Sequence, residues 1–84
     1  MRQAFRADFT VVKVTEDTVF IVDNAEISQS MSITNDAENV VSYLNTLYPS
    51  KRIVYRDTTG KWDALSHVNG EFKGFREWKG DPPL

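Results

Sequence analysis

The sequence predicts a two-layer α+β domain with the element order β-β-α-β-β-β, in which one amphipathic helix packs on one face of an antiparallel sheet. Residues 37–48 place apolar side chains at the 3.6-residue period of a helix. Segments rich in β-branched and aromatic residues lie on both sides of that helix. Asn69-Gly70 is the strongest hairpin signal, because both residues tolerate the positive φ of a type I′ turn. A lone amphipathic helix must bury its apolar stripe against the sheet, so two layers follow.

The first two strands are predicted to form a hairpin. Residues 9–14 and 18–22 are rich in valine, threonine and phenylalanine, and the polar segment 15–17 separates them. In residues 23–33, apolar side chains alternate with serines and acids, which suits either an extended edge strand or a loop. We expect an extended and partly irregular segment there. A β-grasp fold, which also runs from a hairpin through a helix to further strands, is a competing topology.

The helix has signals for its beginning, its buried side and its end. Thr34 or Asn35 is the expected cap, and Glu38 would complete a capping box with Asn35. Pro49 disfavours helical geometry at the preceding residue and therefore ends the helix at Tyr48. The expected apolar stripe comprises Ala37, Val40, Val41, Leu44, Leu47 and Tyr48.

Three strands are predicted after the helix, over residues 52–56, 61–68 and 71–78. A turn that ends at Gly60 separates the first two, and Asn69-Gly70 joins the last two. Phe72 and Phe75 are out of phase for one sheet face, so Gly74 is expected to mark a bulge that realigns them. We expect one domain over residues 1–79 and a flexible tail over residues 80–84.

Composition narrows the class of protein. The chain has 84 residues, which suits one domain with one core, and no cysteine, which removes disulfides and cysteine-ligated metals. No segment approaches the roughly 18 consecutive apolar residues that span a bilayer, and the first eight residues lack the apolar stretch of a signal peptide. We therefore expect a cytoplasmic protein that does not bind membranes.

No set of residues predicts catalysis. His67 is the only histidine, and no nucleophile or second acid–base group is identifiable beside it, so a structural role is favoured. One histidine and scattered carboxylates give no metal-ligand spacing. Residues 57–61 lack the first glycine and the final hydroxyl residue of a phosphate-binding loop. We expect neither an enzyme nor a protein that holds a metal or cofactor, and the enzyme alternative would need a site that an oligomer supplies.

Aromatic and basic residues are interleaved in the last three predicted strands. This mixture suits the stacking of bases in single-stranded nucleic acid, and it equally suits the anchoring of a protein partner. Because the chain is acidic overall, with a pI of about 5.2, we favour protein contact over nucleic acid. Trp78 is the first candidate for an exposed anchor, since the short tail cannot shield it well. The predicted interaction surface comprises Tyr55, Arg56, Trp62, Phe75, Arg76 and Trp78.

Three segments resemble a group of small accessory proteins of tailed bacteriophages: Ser32–Val41, Arg52–Asp57 and Gly60–Asp63. The similar region extends over residues 30–66 and supports the predicted fold, because the shared residues are those of a helix cap, a helix stripe, a strand and a turn. The resemblance implies a phage source and the host cytoplasm as the location. We therefore predict a non-enzymatic module that binds a host or phage protein, with a homodimer as one form of contact and single-stranded nucleic-acid binding as the alternative.

Overall fold

The structure is a computed structural model that describes residues 8–28 and 32–80. The described residues form one five-stranded sheet, one long helix and two short helical segments. The strands are β1 Phe9–Val14, β2 Thr18–Asp23, β3 Arg52–Arg56, β4 Trp62–Val68 and β5 Glu71–Glu77. The helices are α1 Ala25–Ser28, a 3-10 turn Ile33–Asn35 and α2 Ala37–Leu47.

The sheet is mixed, and the expectation of a purely antiparallel sheet is wrong. Its order is β1-β2-β3-β4-β5, with β2 and β3 parallel and every other neighbouring pair antiparallel. The parallel pair follows from the connection, because a helical crossover returns the chain to the end of the sheet from which β2 started. The β-grasp alternative is excluded, since β1 lies at an edge and pairs with β2 alone among the described strands.

The expected extended segment between β2 and α2 is instead partly helical, and the buried carboxylate of Asp23 organises it. Its Oδ1 accepts a hydrogen bond from the Ala25 amide at 2.9 Å. Its Oδ2 accepts bonds from Ser32 Oγ at 3.0 Å and from the Ile33 amide at 3.1 Å. Those three bonds bend the chain over the ends of β2 and β3, so a straight edge strand cannot form there. Residues 29–31 of the predicted segment lie outside the described residues.

Helix α2 begins later than the sequence predicts. Asp36, not Thr34 or Asn35, is its N-cap residue, and the carboxylate makes no capping hydrogen bond but accepts one from Asn39 Nδ2 at 2.8 Å. The capping box therefore does not form, because residues 33–35 are already wound into a 3-10 turn. Ala37, Val40, Val41 and Leu44 are buried as expected. Leu47, which was expected in the stripe, is 51% exposed.

The hairpin from β4 to β5 has the predicted turn and the predicted bulge. Asn69 and Gly70 adopt φ values of 52° and 84°, as the turn requires. The pairing slips after Ser66–Gly74, so that His67 pairs with Phe72, and Gly74 has a φ of 130°. The extra residue returns Phe72 to the side of the sheet that carries Phe75, and the two ring centroids lie 5.1 Å apart.

The main core lies between α2 and the sheet face that it covers, which we call the helix face. Its buried members are Val19, Ile21, Ile33, Ala37, Val40, Val41, Leu44, Ile53, Tyr55 and Leu65. Phe9, Tyr48 and Phe72 pack at its margin. Because side chains alternate along each strand, the other residues of the same strands point to the opposite side of the sheet. The candidate functional site lies on that second side.

Candidate functional site

The side of the sheet away from α2 carries all three arginines that the structure describes, and we call it the arginine face. Arg52 and Arg56 belong to β3, and Arg76 belongs to β5. The strand register places them with one central row of residues, since Phe20 pairs with Val54, Val54 with Ala64, and Ala64 with Arg76. The face is defined by Phe20, Arg52, Val54, Arg56, Trp62, Ala64, Ser66 and Arg76, with the Trp78 ring lying across it.

A second, smaller apolar cluster forms on this face. Phe20 and Val54 are buried, although no helix in the described part of the chain covers them. The Trp62 ring meets Phe20 edge-on with centroids 5.8 Å apart, and the Trp78 ring meets it edge-on at 6.0 Å. The two half-buried indoles therefore shield the middle of the sheet from water. A cluster of this kind gives a contact surface a rigid apolar centre.

Trp78 is held on the face by groups on two sides. The Arg52 guanidinium carbon lies 5.4 Å from the centroid of the indole ring, which is a cation–π arrangement. On another side Gly80 approaches so closely that an added Cβ would lie 2.5 Å from Trp78 Cζ2. The indole Nε1 is buried without a hydrogen-bond partner among the described residues. The expectation that the tail leaves Trp78 unshielded is therefore wrong, and residues 81–84 of that tail lie outside the described residues.

The guanidinium groups of Arg56 and Arg76 make no ion pair with any residue in 8–28 or 32–80. Arg52 is different, since its Nη2 lies 3.3 Å from Asp17 Oδ2. Arg52 and Arg56 are four residues apart on one strand, or about 13 Å, and β5 lies about 10 Å from β3. The three positive charges therefore surround the indole cluster at spacings that side chains of one partner surface can reach.

Several acidic residues lie on the other side of the sheet. Asp23 and Asp63 project from the helix face, Glu77 pairs with Asp63 there, and Asp36 and Glu38 belong to the first part of α2. The net charge of the whole chain is −2. A small overall charge does not exclude an electrostatically selective surface on one side of the domain.

A narrow cleft extends the arginine face where β3 and β4 diverge. Its volume is about 210 Å³, and its lining includes Arg52, Ala64, Ser66, His67 and Arg76. The pairing of β3 with β4 does not continue before Ile53–Leu65, which opens the space. Such a volume is below the roughly 300–1,000 Å³ of small-molecule pockets, so the cleft suits one inserted side chain better than a complete ligand.

His67 lines that cleft, and both nitrogens of its imidazole make hydrogen bonds to the backbone. Its Nε2 donates to the Lys51 carbonyl oxygen at 3.0 Å, and its Nδ1 accepts a hydrogen bond from the Gly70 amide at 3.4 Å. The imidazole thus joins the beginning of β3 to the turn between β4 and β5. In the described part of the chain no group of histidine, aspartate or glutamate side chains has the arrangement of a metal site.

A second cleft, of about 400 Å³, lies at the ends of β2 and β3, and it is lined by Asp23 and Asp57 among others. Both carboxylates accept hydrogen bonds from neighbouring segments of the chain. Asp57 Oδ1 accepts hydrogen bonds from the Thr59 amide, the Thr59 hydroxyl and the Lys61 amide at 2.9, 2.6 and 3.0 Å. Partial burial raises the pKa of Asp57, but these bonds outweigh it and hold the pKa below its usual value. Residues 57–61 therefore form a hydrogen-bonded turn, as the sequence predicts, and the cleft lies beside it.

The six residues of the predicted interaction surface lie on two sides of the sheet. Arg56, Trp62, Arg76 and Trp78 come together on the arginine face. Tyr55 is 2% exposed and belongs to the core, so it cannot contribute to a surface. Phe75 is 44% exposed, and it lies on the helix face beside Tyr55, with ring centroids 5.9 Å apart.

The predicted interaction surface lacks five members of the arginine face: Phe20, Arg52, Val54, Ala64 and Ser66. Arg52 has the same strand parity as Arg56, which is the signal that could have placed both on one side. The sequence places Phe20 in a strand but does not determine its sheet face, because residues at both odd and even positions of that strand are apolar.

Comparison of the chain with protein-family models, with curated proteins and with solved structures found no match. No helix within residues 8–28 or 32–80 has the length and apolar character to cross a membrane.

Proposed function

We propose that the domain is a non-enzymatic protein-binding module and that the arginine face is its contact surface. The observation that supports this most strongly is the assembly of two indoles and three guanidinium groups on a sheet face that none of the described helices covers. Tryptophan and arginine are the side chains that most often supply binding energy in protein interfaces. The partner surface would present carboxylates around an apolar side chain, since the unpaired groups of Arg56 and Arg76 favour negative charge.

Binding of single-stranded nucleic acid is the second candidate, and the same arginines support it. Base stacking requires accessible aromatic faces, however. On this face both indoles are half-buried, and the Arg52 guanidinium lies over the Trp78 ring. Tyr55 is buried, and the exposed ring of Phe75 lies on the other side of the sheet. The protein partner is therefore the better supported of the two.

The resemblance to phage accessory proteins stays a prediction. If the chain is phage-encoded, the partner would be a host or phage protein in the host cytoplasm.

Affinity capture with matched baits tests the proposal. The wild-type domain, Arg76→Glu and Lys61→Glu are immobilised and exposed to lysate of the host, with and without nuclease treatment. Lys61 is the control because it lies on the other side of the sheet, with Nζ 3.9 Å from Asp63 Oδ1, and the same charge is reversed. We expect a protein that wild type and Lys61→Glu retain and Arg76→Glu loses. Equal retention by all three baits, or retention that nuclease abolishes, would contradict the proposal.

A further inference from the structure

The outer edge of β1 is the most apolar edge of the sheet. Residues 10–14 are all exposed, and between Phe9 and Val14 the only charged residue is Lys13. Among residues 8–28 and 32–80 no strand pairs with that edge. β-Strand edges that are long, apolar and uncharged favour pairing with another chain, and most proteins protect them with charged residues.

The opposite edge of the sheet shows that protection. β5 carries four charged residues, Glu71, Lys73, Arg76 and Glu77, whereas β1 carries one. Both edge strands contain a bulge, so the two edges differ in charge and not in the regularity of their pairing. β1 is therefore the edge that is less protected against pairing with another chain.

Helix α2 extends the apolar edge into a wider surface. On the helix face Val14 is 43% exposed, and Val11 is also exposed, because α2 lies closer to β4 and β5. Tyr43 and Leu47, one helical turn apart on α2, are exposed, and the Tyr43 ring packs edge-on against Phe9 at 6.4 Å. Five of the eight large hydrophobic residues that are exposed among the described residues belong to this surface: Val11, Val12, Val14, Tyr43 and Leu47.

The pairing of β1 with β2 shows that this edge is complementary to itself. Val11 pairs with Ile21, and Lys13 and Val14 pair with Phe20 and Val19. Val12 is the extra residue of the bulge and has no partner on β2. Lys13 is therefore paired one position beyond Val11, and Val14 is paired two positions beyond it. Thr10 and Phe9 lie one and two steps before Val11, since they pair with Val22 and Asp23.

A two-fold axis through Val11, perpendicular to the sheet, makes an antiparallel pair of β1 strands. On the helix face it sets Val11 opposite Val11 of the second copy and Val14 opposite the second copy's Phe9, so every pair is apolar. On the arginine face it sets Lys13 opposite Thr10. Asp8, one step before Phe9, is then diagonal to Lys13 of the other copy, within reach of a long side chain. Without the bulge, Val14 and Phe9 would point to different sides.

We propose that this edge binds a second copy of the chain, so that two domains share one continuous ten-stranded sheet. The axis places both α2 helices on the same side of that sheet. Tyr43 and Leu47 of each copy then face an apolar groove whose floor is formed by Phe9, Val11 and Val14. The arginine faces of the two copies lie side by side on the other side. The dimer leaves the contact surface proposed above uncovered, so the two proposals can fail independently.

Analytical ultracentrifugation of the purified chain is the first test. We expect a species of twice the 9.6 kDa chain mass that dissociates on dilution. Val11→Lys sets two like charges on the axis and should weaken association about tenfold or more. Val68→Lys is the matched control, because Val68 is also an exposed strand valine but lies at the far end of β4. A wild-type chain that stays monomeric at submillimolar concentration would overturn the proposal, as would equal association of the two variants.

Disulfide trapping gives a second readout that does not depend on a variant's affinity. The chain has no cysteine, so one introduced thiol reports on one position. Residues on the axis of an antiparallel pair have Cα atoms about 4.5–5.5 Å apart, which a disulfide can bridge. Under mild oxidation Val11→Cys should give a linked dimer that keeps the far-ultraviolet circular dichroism of wild type, whereas Val68→Cys should not. Failure of Val11→Cys to link when wild type is dimeric would show that a different surface makes the dimer.

A third set of variants changes the charges of Asp8 and Lys13 and leaves every apolar residue in place. Lys13→Asp should weaken association because the new carboxylate is diagonal to Asp8 of the second copy, and the double variant Asp8→Lys/Lys13→Asp should restore it. A double variant as weak as the single one would contradict the proposed register.

Discussion

The two faces of the sheet differ in the types of side chain that they carry. The centre of the helix face is mostly aliphatic and closed, with Val19, Ile21 and Leu65 fully or almost fully buried beneath α2. The arginine face is aromatic and partly open, and two half-buried indoles cover its centre. Changes of packing should therefore cost most stability on the helix face. The arginine face instead carries Arg56 and Arg76, whose guanidinium groups form no ion pair within residues 8–28 and 32–80.

The largest expected effect is on the helix face. Leu44→Ala leaves a cavity under α2 and should lower the free energy of unfolding by about 2–5 kcal/mol. Leu47→Ala on the same helix should cost less than about 0.5 kcal/mol, because Leu47 is 51% exposed. Urea unfolding of both variants measures the difference. Equal losses would mean that α2 does not face the sheet as described.

The apolar cluster of the arginine face should contribute less. Trp78→Ala removes the contacts with Phe20 and Arg52 and should cost about 1–3 kcal/mol, since the ring is only half-buried. Trp78→Phe should cost less than Trp78→Ala, because it keeps a ring and removes a buried N–H that has no partner. Thermal unfolding of both variants gives the comparison. If Trp78→Ala is as stable as wild type, the indole does not cover this face.

Tyr55 provides a pH-dependent test of the closed face. Burial, together with the nearby carboxylates of Asp63, Asp57 and Asp23, raises the pKa of Tyr55 from 10.0 to about 12. The folded state therefore favours the neutral phenol. The contribution of Tyr55 to the free energy of unfolding is complete below pH 10 and is lost as the pH rises from 10 toward 12. Tyr55→Phe cannot ionise and should lose less stability than wild type over that range. Parallel losses in urea unfolding at pH 9 and pH 11 would place the Tyr55 hydroxyl in water.

The smallest effect on folding is expected at the arginines. Arg76→Gln should change the free energy of unfolding by less than about 0.5 kcal/mol, because Arg76 is exposed and has no ion pair among the described residues. Lys61→Gln, which removes the same charge from the other side of the sheet, is the control. Chemical unfolding measures both. A large loss at Arg76 alone would make it a structural residue and remove it from the contact surface.

Local patterns in the sequence were sufficient for most elements. The period of α2, the turn at Asn69-Gly70 and the bulge at Gly74 were predicted because a few adjacent residues determine each of them. The parallel pairing of β2 with β3 was not, since it depends on how a crossover returns the chain. The bend after β2 was also missed, because Asp23 reaches Ile33, ten residues away.

The site was predicted in part for a related reason. Strand parity places Arg56, Trp62 and Arg76 on one face only when the register between strands is known. Tyr55 was assigned to the surface because composition alone cannot separate a core tyrosine from an exposed one. The long reach of Trp78 across the sheet to Phe20 is a tertiary contact that no short segment of sequence encodes.

Nuclear magnetic resonance titration tests the proposed contact surface most directly. The chain has two tryptophans, so ¹⁵N-labelled protein shows two indole N–H signals, and both indoles lie on the arginine face. On titration with the protein that the wild-type bait retains, we expect both indole signals and the side-chain signals of Arg56 and Arg76 to shift together. Shifts confined to α2 or to β1, with both indole signals unchanged, would contradict the account.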